Sequence, residues 1–256
     1  MRVERIGFTP LKGARHLAHD SVELSATGPT CDRLFCLVDP ARGRVLRTVE
    51  NPSLVRCVAR WGTGTLRVDL PDGGRVEGEP RPTGEVLKVD YWGRTAAVER
   101  VAGPWAEAFS EHLGYDVVLT RSVEAGEVVY GAPVTLLTSA SMRLLSERLG
   151  REVDSARFRS TFLIGADASE QAVPHVEDSW VGREVRLGAA TVLVRGTVPR
   201  CAVVDVNPDD GVLDAPVLRT IAGYRRGESE VHFGVDAVVV APGTVHAGDT
   251  AVLGRG

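Results

Sequence analysis

Along its first hundred residues the chain alternates apolar and polar positions in short runs, each closed by turn residues. "RVERIGFTPL" (2–11), "SVELSA" (21–26), "RLFCLVD" (33–39) and "GRVLRT" (43–48) are β-branched or alternating runs, the period that turns one face of a strand inward. "PARG" (40–43) supplies a hairpin turn between the last two. "LVRCVARW" (54–61), "TLRVDLPDGGRVEGE" (65–79) and "EVLKVDYWG" (85–93) continue the pattern, with "PDGG" (71–74) as a further turn. Strands recurring at roughly 8–12-residue spacing predict a closed or nearly closed sheet rather than β-α-β units.

Helical periodicity begins at "AGPWAEAFSEHLG" (102–114). There Trp105, Phe109 and Leu113 share a face, Pro104 lies near the start and Gly114 stops the run. The spacing predicts a second helix over "SASMRLLSERLG" (139–150), with serines at its start and Gly150 at its end. A third, less regular pattern lies in "APVLRTIAGYRR" (215–226). Strand-like runs return at "AATVLVRGTV" (189–198), "VHFGVDAVVVAPGTV" (231–245) and "DTAVLG" (249–254). The fold class is therefore mainly β with a few α-helices (α+β), and the onset of helices places a boundary near residues 95–100.

Composition changes this picture little. A chain of 256 residues with 43% hydrophobic and 25% charged residues and a net charge of −4 can bury a core. That charge gives no electrostatic footprint for nucleic acid or an anionic membrane. No window of 18 apolar residues predicts a membrane helix. The start of the chain shows no apolar signal region, so a cytoplasmic protein is expected. The four cysteines, Cys31, Cys36, Cys57 and Cys201, show neither CxxC nor disulfide-rich spacing, which reads as free thiols in a reducing compartment.

Candidate chemistry concentrates at a few positions. GxGxxG, GxxxxGK[ST], HExxH and GxSxG are all missing. His16 and His19 have a short metal-like spacing, but no ligand set accompanies them, and solvated loop histidines are the simpler reading. "NPDDG" (207–211) lacks the EF-hand ligand series and reads as a turn. Lysine is confined to Lys12 and Lys88. Arg33, Arg157 and Arg159 precede apolar strands, and with Lys12 and Arg200 they could line an anion pocket, because guanidinium groups grip phosphate bidentately. The alternative is that each pairs with an acidic residue. Cys201, behind Pro199 and Arg200 at the end of an apolar run, reads either as a small buried hydrophobe or as a thiolate ligand or nucleophile.

Several segments in order carry a resemblance. "GFTPLKG", "CDRLFCLVD" and "RTVENPSLV" resemble the N-terminal β-barrel domain of MOSC proteins. "ARFRSTFLI", "VEDSWVGREVRLG", "VPRCAVVDVNPDDG" and "FGVDAVVVAPGTVHAGDTAVLG" resemble the MOSC domain itself. The resemblance implies an N-terminal β-barrel-like domain over 1–97 and a MOSC β-barrel domain over 98–256, clasping a molybdenum cofactor of the molybdopterin type. It implies Cys201 as metal ligand and catalytic residue. It implies cofactor contacts from Lys12, Arg33 and Arg159, and from Ser139 or Ser141 at the start of the second helix. Arg157, Thr161 and Arg200 join that set as neighbours of its motifs.

The activity implied is reduction of small N-oxygenated compounds by a monomer. Electrons would come from a separate donor, a flavoprotein reductase, ferredoxin or cytochrome b5-like protein, with no nucleic acid or membrane as partner. The chain departs from the family's pattern at Gly13 and at Arg159-Ser160-Thr161, where relatives carry Arg-Pro-Asn. Two other readings stand beside this one: a metal-free sulfur carrier with a persulfide on Cys201, and a carrier of the pterin cofactor. Substrate choice is expected to depend on loops 122–132 and 166–176, which carry no signature.

Overall fold

A computed structural model describes residues 1–124, 126–166, 172–225 and 230–254. Five strands, Phe35–Asp39, Arg44–Val45, Arg81–Tyr91, Arg94–Ala102 and Val118–Ser122, close into a barrel. "PARG" makes the first hairpin, with Gly43 at a φ of 58°. "PDGG" joins Thr65–Asp69 to Arg75–Gly78, with Gly73 at 91°. Those two strands and Val58–Gly62 form a separate three-stranded sheet. The apolar run at 54–61 is only half strand: Pro52, with its fixed φ, opens a 3-10 turn over Pro52–Arg56 before the strand starts. Leu37, Leu66, Trp105, Phe109 and Leu119 pack together in this half of the molecule, all with exposures of 0 or 1%, and about 25 cal/mol per Å² of apolar burial drives that packing.

The second core lies against an eight-stranded sheet in the order Ala251–Leu253, Glu184–Leu187, Ala190–Pro199, His232–Ala241, Val134–Thr138, Phe162–Gly165, Arg2–Phe8 and Leu17–His19. Backbone bonds from Ala251 N to Met1 O (2.8 Å) and from Val3 N to Asp249 O (2.9 Å) curl its first and seventh strands together. Helix Ser139–Leu149 crosses over between Val134–Thr138 and Phe162–Gly165, which pair in parallel. Thr138 caps it by accepting from Ser141 N, and Gly150 ends it in the left-handed conformation. Helix Trp105–Leu113 has the same stop at Gly114. The third helical pattern gives only Val217–Ala222, and its final Arg226 lies outside the described residues.

The boundary near residues 95–100 is crossed in both directions. Strand Arg2–Phe8 pairs with Phe162–Gly165 in the eight-stranded sheet, while Val118–Ser122 returns to pair with Phe35–Asp39 in the barrel. Each half of the chain thus contributes a strand to the other half's sheet. Among the described residues no helix is long and apolar enough to cross a membrane.

Candidate functional site

A cavity of about 330 Å³ lies where the two sheets meet, lined by Lys12, Arg33, Arg47, Arg157, Arg159, Arg200 and Cys201. Its cationic residues arrive from both halves of the chain. Leu11 pairs in parallel with Phe35. Lys12 N donates to Phe35 O (2.8 Å) and Phe35 N to Pro10 O (2.9 Å), so Lys12 and Arg33 become neighbours despite their separation in sequence. Arg159 caps the 3-10 turn Ser155–Phe158 and sends Nη1 to Ala14 O at 2.8 Å, in the loop that follows Lys12. Arg33 and Arg159, with φ of 48° and 52°, sit in the left-handed region, as does the cavity residue Trp92 at 56°. Such conformations cost side-chain-bearing residues energy and gather where the surroundings hold a site in place.

Cys201 sits where the chain leaves the sheet. Pro199 still pairs with His232, Arg200 N donates to Val231 O (2.7 Å), and Cys201 then opens the 3-10 turn Ala202–Asp205. Its side chain is exposed, whereas Cys36 and Cys57 are buried. The reading of Cys201 as a buried small hydrophobe therefore fails: the chain turns before the residue reaches the core. Arg200 packs beneath it, with Nε on Phe233 O (2.8 Å), Nη1 on Phe158 O (2.9 Å) and the guanidinium 5.3 Å from the Phe158 ring centre. Its Nη2 is buried and has no hydrogen-bond partner among the described residues. Gly234 makes room for this arrangement; at its φ of +77° a Cβ would fall 2.2 Å from Leu137 and 3.3 Å from Arg200 Nη2.

The cations are not equivalent. Arg157 is committed to Asp214, with Nη2 at 2.7 and 2.9 Å from the two carboxylate oxygens and Nη1 on Asp205 O. Arg33 leans on its neighbour Asp32 (3.3 Å), and Arg47 on Glu50 (3.6 Å) and Asp90 (3.5 Å). Lys12 and Arg159 have no carboxylate partner among the described residues. Burial, then the Arg33 and Arg159 charges, push the Lys12 ammonium down to about 7. Burial, then Arg33, lowers Arg159 to about 10. Against a chain of net charge −4, this is a local concentration of positive charge that an anion would relieve.

Ser139, Ser141 and Thr161 do not line the cavity. Ser139 starts the second helix. Ser141 is fully buried and donates to Glu177 Oε1 at 2.7 Å, beside Thr138, which donates to Oε2 at 2.8 Å. Thr161 exchanges hydrogen bonds with Thr135 (3.0 and 3.1 Å), and Thr135 is the member of that pair facing the cavity.

His16 departs from the solvated-loop reading. It is 5% exposed and its Nδ1 faces Arg5 at 3.3 Å, because the chain turns inward at residue 14. Burial, then Arg159 and Arg5, holds it well below the usual imidazole range. His19 stacks on Phe8 at 3.6 Å. "NPDDG" is the expected turn: Gly211 N returns to Asn207 O (2.9 Å), and Arg15, from the loop before Leu17–His19, clasps Asp209. Tyr91, Trp92 and Tyr130 also line the cavity. Only the fold brings the hairpin and the loop that carry them to the cavity of Cys201. Of the loop at 166–176, residues 167–171 lie outside the described residues.

Two interlocked β units share a cavity that is lined by cationic side chains and the exposed Cys201 thiol. Residues 1–114 match the MOSC N-terminal beta barrel domain and residues 101–252 the MOSC domain, and the chain belongs to the MOSC domain family. The two matches overlap on the stretch that holds helix Trp105–Leu113. The chain is 30% identical to mitochondrial amidoxime-reducing component 1 of Mus musculus over 98% of this chain and 82% of that protein. It is 26% identical to the Xenopus laevis protein of the same name over 90% and 73%. Molybdenum cofactor sulfurase of Solanum lycopersicum is 29% identical over 41% of this chain and 14% of that protein.

Proposed function

We propose that the chain is a molybdenum-cofactor-dependent oxidoreductase that reduces small N-oxygenated compounds, with Cys201 as the protein's ligand to the metal. One observation carries the reading: the exposed Cys201 thiol opens onto the same cavity as Lys12 and Arg159, cations without carboxylate partners among the described residues. The residues fit the cofactor. Its phosphate would take up the charge of Lys12, Arg33 and Arg159, and the orphaned Arg200 Nη2 is a further donor. Among the described residues no three of His, Cys, Asp and Glu gather to hold a metal, so the remaining ligands would come from the pterin itself. Similarity to the amidoxime-reducing components supports the N-reductive chemistry.

When bound, the cofactor would supply two-electron redox chemistry beside Cys201. Reduction of an N–OH group to N–H consumes two electrons and two protons and releases water. The chain holds the cofactor's charged end and positions Cys201, while electrons arrive from a separate donor, a flavoprotein, ferredoxin or cytochrome b5-like protein. Arg157 acts indirectly, by fixing the loop behind Cys201 through Asp214.

The test is molybdenum content per chain after expression with ample molybdate, for the wild type and Cys201→Ala. Near-stoichiometric metal that is lost in the variant supports the reading. Full metal and full turnover in Cys201→Ser would sink it. The similarity to a molybdenum cofactor sulfurase favours a second reading, in which Cys201 carries a persulfide. Intact mass would then show sulfane sulfur on Cys201, with no molybdenum.

A further inference from the structure

The cavity's mouth carries aromatic surface in a form that local folding rules disfavour. Trp92 and Gly93 form the two-residue loop between Arg81–Tyr91 and Arg94–Ala102, with φ of 56° and 81°. That is the geometry of a type I′ turn, whose first position favours Asn, Asp or Gly. A bulky Trp there runs against the local preference, and departures of that kind gather at functional sites. Trp92 also remains 42% exposed, although it lines the cavity.

Its ring is held firmly. Arg47 stacks 4.4 Å from the ring centre and is itself tied to Glu50 and Asp90. Tyr130 stands edge-on to Trp92 at 6.3 Å and is 57% exposed. Arg94 donates to the carbonyls of Glu127 (3.0 Å) and Val129 (2.6 Å), fastening the loop that carries Tyr130 to the hairpin that carries Trp92. Tyr91 is not available in the same way, because Lys12 (4.9 Å) and Arg94 (5.0 Å) lie over its ring. Trp92 and Tyr130 are therefore the exposed aromatic side chains that line the cavity, whereas Tyr91 is buried.

We propose that Trp92 and Tyr130 form a fixed platform that stacks a planar aromatic ring, so that the site selects aromatic N-oxygenated compounds over aliphatic ones. The inference rests on the N-reductive reading above and names the substrate class of that same site. Arg47 and Arg94 are positioning residues, since they hold the two rings without touching the ligand. The platform is set before the ligand arrives, so stacking requires little reordering.

The test uses two neutral amidoximes that share a head group, benzamidoxime and acetamidoxime, titrated calorimetrically into the molybdenum-loaded full chain. The wild type is expected to bind benzamidoxime about tenfold more tightly, the scale of an aromatic stack added to buried ring area. Trp92→Ala and Tyr130→Ala each bring the affinity ratio towards one, and Trp92→Phe restores most of it. An unchanged melting temperature shows that the variants remain folded. Equal affinities in the wild type, binding of neither compound, or a ratio that survives in the double variant overturns the platform. Molybdenum content separates the two ideas: a loaded enzyme with no ring preference sinks the platform alone. A metal-free chain that keeps the ring preference sinks the N-reductive reading and leaves the platform standing.

Discussion

Arg157 is the position at which sequence and structure suggest different roles, and replacing it decides between them. Its side chain is 4% exposed and lies on Asp214, which is 20% exposed. Removing one partner from a buried ion pair costs about 3–5 kcal/mol, because the other charge is stranded. Asp214 would not be fully stranded. It keeps Arg151 at 2.7 Å, Asn207 at 3.3 Å and partial contact with water. Arg157→Met, which preserves most of the packing volume, should therefore cost about 2–3 kcal/mol, below the full range. At about 2–4 °C per kcal/mol for a chain of this size, the melting temperature should fall by roughly 5–10 °C.

The pH dependence has a definite sign. Burial pushes the Asp214 carboxyl up, but hydrogen bonds from Arg151 and Arg157 outweigh it and hold the carboxyl below its ordinary value. A carboxyl depressed in the folded state contributes stability above its unfolded pKa of about 4 and loses it as the pH falls through the folded pKa. The variant should thus lose less stability on acidification than the wild type. The assay is urea unfolding at neutral and acid pH, with affinity for the pterin cofactor measured alongside. An unchanged midpoint together with a large loss of cofactor affinity would refute the structural role and make Arg157 a direct ligand.

Two further outcomes follow from the cavity's charges and thiols. Sulfate stays dianionic across the working range. Its affinity for the cofactor-free chain should weaken as the pH rises above about 7, because the Lys12 ammonium, lowered to about 7 by burial and its cationic neighbours, loses its proton there. Lys12→Met should flatten the profile, and a pH-independent wild type would contradict the assignment; calorimetric titration reads both. In the native chain iodoacetamide should modify Cys201 first. Cys36 and Cys57, buried and with thiols pushed up to about 11 and 12, should stay silent until urea unfolds the protein. Peptide mapping against time gives the order, and equal rates at all four cysteines would refute it.

The sequence by itself determined the strands, the turns at "PARG" and "PDGG", and the helix stops at Gly114 and Gly150. Each is a local preference, set by side-chain period or by the freedom of glycine at positive φ. It also determined the family, because motifs such as "VPRCAVVDVNPDDG" are contiguous. It indicated an anion pocket at Lys12, Arg33, Arg157, Arg159 and Arg200; all five line the cavity, although Arg157 is tied to Asp214. The half-helical start of 54–61 was hidden because Pro52 overrode an apolar run that suits a strand equally well.

Only the tertiary structure decided which cations are free. Arg157 and Arg159 look alike on either side of Phe158, yet one meets the Asp214 carboxylate across the chain while the other donates to the carbonyl of Ala14. Ser141 likewise faces Glu177 rather than the cavity. The aromatic entrance depends on Trp92 and Tyr130, which are distant in sequence and meet only because the barrel strands and Arg94 bring their loops together. Pairings of this kind depend on how sheets close around one another, and a local residue pattern holds no record of that geometry.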